Sequence, residues 1–306
     1  MGKSGKGEKK KYRSGVVAIV GPPNAGKSTL LNRLLGQKIA IVTPKPQTTR
    51  NRILGIVTGP DHQIILLDTP GLHKARQPLN REMVRIAMDS LSEADVVLFL
   101  ADITIPLGGR EKKMRSEYGG YLEKVRSPAL LALNKIDLLE KKRLLPLMDW
   151  YRELHDFKAL IPMSALNGEG VDILLREIVN LLPEGPQYYP DDIPTDATER
   201  FIVSEIIREK IFVSTNQEIP YSTAVIIDAF QEAARGPVTI HATILVEQPS
   251  QKPILIGRGG RMLKKIGTAA RLEIEDLLGC RVVLKLWIKI KKKWTRDERV
   301  LRELGF

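Results

Sequence analysis

Gly21, Pro22, Pro23, Asn24, Ala25, Gly26, Lys27 and Ser28 follow the pattern G-x-x-x-x-G-K-[ST], and Thr29 continues into a helical run. Each residue type has its own task in holding a nucleoside triphosphate. The glycines let the backbone turn its N–H groups around a β-phosphate, and a helix N-terminus adds its dipole. Lys27 reaches the β and γ oxygens, and Ser28 ligates Mg2+. An apolar strand-like run before the loop supplies the required context, which an ordinary Gly-rich connection lacks.

Downstream, Asp68-Thr69-Pro70-Gly71 closes a second apolar run. A carboxylate at this place holds Mg2+ through water, and Gly71 can offer its N–H to the γ-phosphate. D-x-x-G alone is common at strand-end turns; its order behind the phosphate loop gives it weight. Asn134-Lys135-Ile136-Asp137 then caps the next-but-one run. A carboxylate accepts two hydrogen bonds from the N1–H and amino group of guanine, whereas adenine presents an acceptor there and leaves the charge unpaired. Asp137 therefore selects guanine, with Asn134 and the Lys135 stem supporting the loop and the base plane. Ser164-Ala165-Leu166 ends the last run and offers a backbone N–H to the guanine oxygen. The ligands expected are GTP and GDP.

Residues Thr43 to Arg50 are polar and punctuated by Pro44 and Pro46, suited to a loop that orders around γ-phosphate and Mg2+. One of Thr48 and Thr49 should supply the second hydroxyl to the metal; the residue types leave both open. Hydrolysis needs an oriented water, and Ras-like GTPases place a Gln directly after D-x-x-G. Here Leu72 stands in that place, so slow intrinsic turnover is expected. The catalytic set is then Lys27, Gly71, Thr48, Thr49 and Asn24, the last helping to hold a K+ that bridges the phosphates. His73 is a weaker candidate for a base. His62, His155 and His241 show no ligand spacing, which argues against a structural metal site.

A second constellation lies near the C-terminus. From Ile254 to Gly267 a G-x-x-G sits behind an apolar run and ahead of a basic helix, the KH signature. Gly257, Gly259 and Gly260 allow close approach of a nucleic-acid backbone. Arg258, Arg261, Lys264 and Lys265 meet phosphates, while Ile254 and Ile256 floor a groove for unstacked bases. A dinucleotide-binding reading fails, because its third glycine position holds Met262. Lys285, Lys289 and Lys291-Lys292-Lys293-Trp294 add charge beside a ring. Alone such a run is more often a solvated face; here it extends the RNA surface or touches anionic lipid.

The elements that must position these groups are legible as alternation. Apolar runs at Val16–Val20, Ile64–Leu67, Val96–Leu100, Ala129–Leu133 and Ala159–Pro162 alternate with helical patterns, which indicates a parallel sheet covered on both faces. The run Ile53 to Thr58 turns at Gly59-Pro60-Asp61 into the next and reads as an antiparallel edge. Four prolines between Pro183 and Pro194 mark a linker. Beyond it the order becomes helix, two strands, Gly-rich turn, helix and strand, a small α+β domain. The expected division is a basic flexible tail over 1–14, a nucleotide domain over 15–182, a linker over 183–197 and an RNA-binding domain over 198–306.

Composition agrees. At 306 residues the chain has room for two cores, and 48 Lys plus Arg against 36 Asp plus Glu leave a formal charge of +12, which favours a polyanionic partner. Residues 252–306 hold fifteen Lys or Arg against six Asp or Glu. The single Cys280 excludes an internal disulfide and is assigned to packing. No apolar run approaches the roughly 18 residues of a membrane span, and the Lys-rich start lacks a signal peptide's apolar stretch, so a cytoplasmic protein is expected.

Together, Gly21 to Thr29, Gln47 to Arg50, Asp68 to His73, Asn134 to Asp137, Ser164 to Leu166 and Gly257 to Gly260 resemble the Era family of bacterial GTPases over about residues 15–306. The resemblance implies an α/β P-loop GTPase domain, mostly parallel with an antiparallel edge strand, followed by a small α+β type II KH domain. It implies a monomer that binds small-subunit ribosomal RNA near its 3′ end, acts in 30S subunit assembly, and associates peripherally with the inner membrane. Pro22 and Ala25 stand where that family commonly has Arg and Val, and the basic tail is extra. The alternative is a KH RNA-binding protein whose nucleotide domain is largely structural. An ATP-dependent RNA kinase or helicase conflicts with Asp137.

Overall fold

The structure, a computed structural model, describes residues 11–72, 77–105, 111–232 and 236–305. Its first part alternates strands and helices: β1 (Arg13–Val20), α1 (Lys27–Leu35), β2 (Ile53–Gly59), β3 (His62–Asp68), α2 (Pro78–Glu93), β4 (Val96–Asp102), α3 (Glu111–Leu122), β5 (Ala129–Asn134), α4 (Leu144–Arg152), β6 (Phe157–Met163) and α5 (Val171–Leu181). The sheet order is β2-β3-β1-β4-β5-β6, with β2–β3 antiparallel at one edge and every other pair parallel. The central strands are apolar throughout because helices bury both faces. Val17, Ile19, Leu98 and Leu100 pack in one core with Leu30, Leu31, Leu174 and Ile178. Their neighbours Ala18, Val20, Val97 and Phe99 pack in the opposite core with Ala87, Met114, Tyr118 and Leu147. Parallel register aligns the strand ends, so the loops after β1, β3, β5 and β6 emerge along one side of the sheet.

Residues 183–197 lie along the β2–β3 edge. Gln63 accepts from the N–H groups of Tyr188 and Tyr189 and donates to Tyr189 O, while Ile56 N–H donates to Pro194 O at 2.8 Å. The proline-rich stretch thus covers an edge strand as well as joining two domains.

The second part comprises α6 (Glu199–Ser214), β7 (Ala224–Gln231), β8 (Val238–Val246), α7 (Gln251–Ile256), α8 (Arg261–Leu278), β9 (Val282–Ile290) and α9 (Glu298–Glu303). Strand β8 pairs antiparallel with β7 and parallel with β9. Helices α6 and α8 cover one face through Val203, Ile207, Ile266, Ala270 and Ile274. This is an α/β P-loop fold followed by a small α+β KH fold.

Three expectations need correction. Strand β1 begins at Arg13, inside the presumed tail: the Arg13 guanidinium donates to Leu182 O at 2.7 Å and Ser14 is buried. Residues 1–10 and His73 lie outside the described residues. Cys280 is exposed rather than packed, in the turn after α8. Trp294 is wholly buried, because a single helical turn after β9 points its ring inward, where Nε1 donates to Ser222 O at 2.9 Å. Among the described residues no helix is long and apolar enough to cross a membrane.

Candidate GTP site and RNA interface

The phosphate loop is tied to the base loop by one amide. Asn134 Nδ2 donates to Ala25 O at 2.7 Å, and Asn134 Oδ1 accepts from Ala165 N–H at 2.9 Å. This contact requires a glycine at 26: its φ is +98°, and a Cβ there would stand 2.3 Å from Asn134 Nδ2. The Lys27 side chain curls over the loop, its Nζ 3.2 Å from Gly21 O and 2.9 Å from Pro22 O. Asn24 adopts a left-handed φ of 61° and donates from Nδ2 to Pro44 O at 2.8 Å, which pins residues 43–50 over the phosphate loop. Together with Gly26, Ser28, Thr29, Gly71 and Lys135 these groups enclose a cavity of about 340 Å³.

Three oxygens converge at its floor. Ser28 Oγ donates to Asp68 Oδ2 at 2.6 Å and lies 2.8 Å from Thr49 Oγ1. Asp68 Oδ1 is buried without a hydrogen-bond partner. Two hydroxyls beside a carboxylate with an unsatisfied buried oxygen form a hard-oxygen donor set that suits Mg2+. Thr48, by contrast, spends its hydroxyl on Lys45 O and Thr43 Oγ1, both at 2.7 Å. Of the two threonines left open by the sequence, Thr49 is at the donor set.

Burial raises the Asp68 carboxyl to about 6 against the opposing pull of Lys27, Ser28 and Thr49, and burial lowers the Lys27 ammonium to about 8 against the pull of Asp68. Metal binding needs Asp68 ionised and phosphate binding needs Lys27 charged. Affinity for Mg2+·GTP therefore falls as pH drops below about 6, with protons competing for Asp68, and falls again as pH rises above about 8, where the free Lys27 loses its proton. Calorimetric titration across this window should give a bell-shaped curve; a flat curve on both sides would contradict the assignment.

After Asp68, Thr69 Oγ1 donates to Ile19 O at 2.8 Å and fixes the loop. Leu72 was expected beside the nucleotide. Its side chain is instead buried with Ala18 and Val20, and its N–H donates to Gly21 O at 3.0 Å. Turning this apolar side chain into the core removes it from the reacting phosphate.

At the other end of the site, Lys135 takes a left-handed φ of 73° and pairs its Nζ with Asp102 Oδ2 at 2.5 Å, which sets the next turn. That turn, Ile136–Leu138, leaves Asp137 exposed to solvent, two residues beyond Lys135, which lines the cavity. The 164–166 loop is held by Arg33, which donates to the carbonyls of Ala165 and Leu166. Ser164 N–H is engaged by Glu169 O and Ala165 N–H by Asn134, and of the three only the Leu166 N–H finds no acceptor among the described residues.

The KH loop is equally defined. Gly257 has a φ of +72°, and a Cβ there would approach Met262 Cβ to 2.7 Å. Arg258, Arg261, Lys264 and Lys265 are exposed around Gly259 and Gly260. Beside them a groove of about 390 Å³ runs between α8 and β9, with Leu263, Leu284 and Leu286 as its apolar lining. Ile254 and Ile256 do not line it. The apolar run is helical, so residues two apart point in nearly opposite directions, and Ile254 is 50% exposed on α7. Lys289 projects from the other face of β9, and Lys291 pairs with Glu303 at 3.4 Å. Lys292 and Lys293 are exposed, outside the groove, and Trp294 offers no stacking face.

The largest group of functional residues not anticipated from sequence joins the two domains. Residues 38–50 dock on α6: Lys38 Nζ meets Glu209 Oε2 at 2.7 Å, Val42 N–H donates to Glu209 Oε1 at 3.0 Å, and Lys45 Nζ caps the helix end at the carbonyls of Phe212 and Thr215. Arg208 donates to Thr48 O at 2.5 Å. Arg50, only 3% exposed, donates to the carbonyls of Pro220, Tyr221 and Thr223 and lies over the rings of Phe212 and Trp294. These are long-range pairs of ordinary charged residues with no spacing in the sequence to reveal them. Only the placement of Thr-Thr-Arg beside the phosphate loop hinted at a role.

Comparison with known proteins assigns a family to each of the two regions that carry these sites. Residues 16–135 match the family model described as 50S ribosome-binding GTPase, and residues 218–295 match the KH domain model. Over 296 residues the chain is 51% identical to GTPase Era of Syntrophus aciditrophicus, covering 96% of this chain and 95% of that protein. It is 50% identical to GTPase Era of Geobacter metallireducens over 296 residues, covering 96% and 98%. Among solved structures, a crystal structure of Era in complex with MgGDPNP and nucleotides 1506-1542 of 16S ribosomal RNA superposes with a TM-score of 0.90 at 41% identity, over 96% of this chain and 99% of the other. An Aquifex aeolicus Era variant bound to GDP.AlF4− gives a TM-score of 0.90 at 40% identity with the same coverage. The chain belongs to the Era family of GTPases.

Proposed function

We propose that residues 15–182 bind and hydrolyse GTP while residues 198–306 bind small-subunit ribosomal RNA, so that the nucleotide times an RNA-binding step in assembly of the small subunit. The observation that carries this reading is that Thr49 meets Ser28 and Asp68 while its neighbours Thr48 and Arg50 meet the KH-side elements. A change at the γ-phosphate is thereby passed to the RNA-binding half through three consecutive residues. The relative crystallised with MgGDPNP and 16S ribosomal RNA supports the choice of both ligands.

In the site, Asp137 and the 164–166 loop orient guanine, the phosphate loop wraps the β-phosphate, and Lys27 neutralises β and γ oxygens. Ser28, Thr49 and Asp68 would hold Mg2+, which when bound draws charge from the leaving phosphate. Leu72, the residue directly after Gly71, is apolar and buried and cannot orient water, so slow intrinsic hydrolysis is expected. Asn24 Nδ2 donates to Pro44 O at 2.8 Å, which fixes the side chain at the phosphate loop, and its amide oxygen is the group that would contact a K+ bridging the phosphates. Turnover in KCl is expected to exceed that in NaCl at equal ionic strength, and equal rates would remove K+ from the mechanism.

The test of the functional reading is the steady-state GTPase rate with and without an RNA spanning nucleotides 1506-1542 of 16S ribosomal RNA, the segment bound by the related protein. Stimulation is expected. An unchanged rate would favour a KH protein whose nucleotide domain is structural.

A further inference from the structure

Strand β9 reads Val282-Val283-Leu284-Lys285-Leu286-Trp287-Ile288-Lys289-Ile290, and alternation splits it cleanly. Leu284 and Leu286 face α8 and line the G-x-x-G groove. Lys285, Trp287 and Lys289 therefore project from the opposite face of the three-stranded sheet, whose end at Ala224 and Leu245 packs against α2, α9 and Trp294 and whose part around Lys285 and Trp287 is open to solvent. All three are exposed, and Trp287 retains 48% of its surface. Neither lysine makes an ion pair among the described residues. His241 on β8 backs the indole, with ring centroids 5.1 Å apart and planes at 51°. The three strands carry one carboxylate, Asp228, on the far strand β7, where it accepts from Thr243 Oγ1 at 2.7 Å.

Resting on the proposed binding of RNA, we infer that this outer sheet face is a second RNA-binding surface, separate from the G-x-x-G groove. Trp287 stacks on one unpaired base, and Lys285 and Lys289 contact the phosphates on either side. Residues two apart on a strand are about 6.6 Å apart, so the two lysines bracket the ring at a reach that suits an extended polynucleotide. A half-open indole held by a second ring is a prepared stacking platform, and every base offers it a π-face. Charge complementarity selects a polyanion. The chemistry favours RNA over lipid because the apolar groups on this face are scattered single residues, Ile226 and Val283 at 36% and 39% exposure, with no protruding patch to enter a bilayer. Two surfaces on opposite faces of one small domain would hold two segments of a folded RNA, adding avidity without strengthening either contact.

The test compares two RNAs on the full chain: the fragment spanning nucleotides 1506-1542 of 16S ribosomal RNA, and a single strand of about six nucleotides that fills only the groove, since a G-x-x-G loop clamps about four. Trp287→Ala should weaken the longer RNA about tenfold and leave the short one unchanged, with Trp287→Phe restoring most of the loss. Lys285→Ala with Lys289→Ala should lower the slope of log affinity against log salt by about two for the longer RNA alone. Equal weakening of both RNAs would mean that the variants disturb the groove, and would overturn the inference. So would unchanged affinity for both, or loss of binding to vesicles containing an anionic phospholipid with RNA affinity intact. If neither RNA bound the unmodified chain, the RNA reading itself would fall, which is a different result from a variant without effect.

Discussion

Asp137→Asn is expected to lower affinity for GTP about 10³-fold and to raise affinity for xanthosine triphosphate by a comparable factor. The carboxylate accepts two charge-assisted hydrogen bonds from guanine, each worth about 1.5–3 kcal/mol. An amide keeps one acceptor and turns a donor toward the guanine amino group, so one bond is lost and a clash is made. Xanthine carries a carbonyl where guanine carries the amino group, and the same amide donor then finds an acceptor. Asp137 is exposed on a short turn, so the fold does not depend on it. Unchanged unfolding alongside the swapped preference, read by competition among GTP, xanthosine triphosphate and ATP, is the expected pair of results. A variant that still preferred GTP would show that another group chooses the base.

Arg50→Leu is expected to cost about 3–5 kcal/mol, because it strips a buried charge from its partners. Three carbonyls, of Pro220, Tyr221 and Thr223, lose their donor in a site closed to water. The guanidinium also lies 5.7 Å from the Phe212 ring centroid and 6.0 Å from that of Trp294. Leucine fills part of the volume and satisfies none of the carbonyls. Because the lost contacts run between residue 50 and the segment 220–223, the loss falls on domain docking. Heat unfolding should separate into two transitions, and residues 43–50 should become protease-sensitive. The effect of RNA on GTP hydrolysis should disappear even though Lys27, Ser28 and Asp68 are untouched. A single transition at the original temperature, with RNA stimulation retained, would place the coupling elsewhere.

The nucleotide site was legible because its chemistry is local. Glycines, Lys27, Asp68 and Asp137 each follow a strand whose apolar run marks it, and parallel register brings their loops to one side. The antiparallel edge was legible from Gly59-Pro60-Asp61, a turn too short for a crossover. Sequence failed where direction mattered. Trp287 and Trp294 both stand among lysines, and only the end of β9 decides that the first remains on the sheet surface while the second turns into the core with Leu79, Met83 and Val300. Ile254 and Ile256 would share a face in a strand; helix α7 separates them. Thr48 and Thr49 are chemically equivalent until the Lys45 carbonyl claims one hydroxyl. The docking of residues 38–50 on α6 pairs groups more than 150 positions apart, which periodicity cannot report.

The central claim is that GTP and RNA are coupled through residues 48–50, and coupling of two ligands is reciprocal. The most direct measurement is the affinity of the unmodified chain for the 1506-1542 RNA fragment in the presence of Mg2+ with a non-hydrolysable GTP analogue and, separately, with GDP. Tighter binding with the analogue, by about 5- to 150-fold for a coupling of about 1–3 kcal/mol, is the expected result. Equal affinity in the two nucleotide states would contradict the account, however tightly the RNA were held.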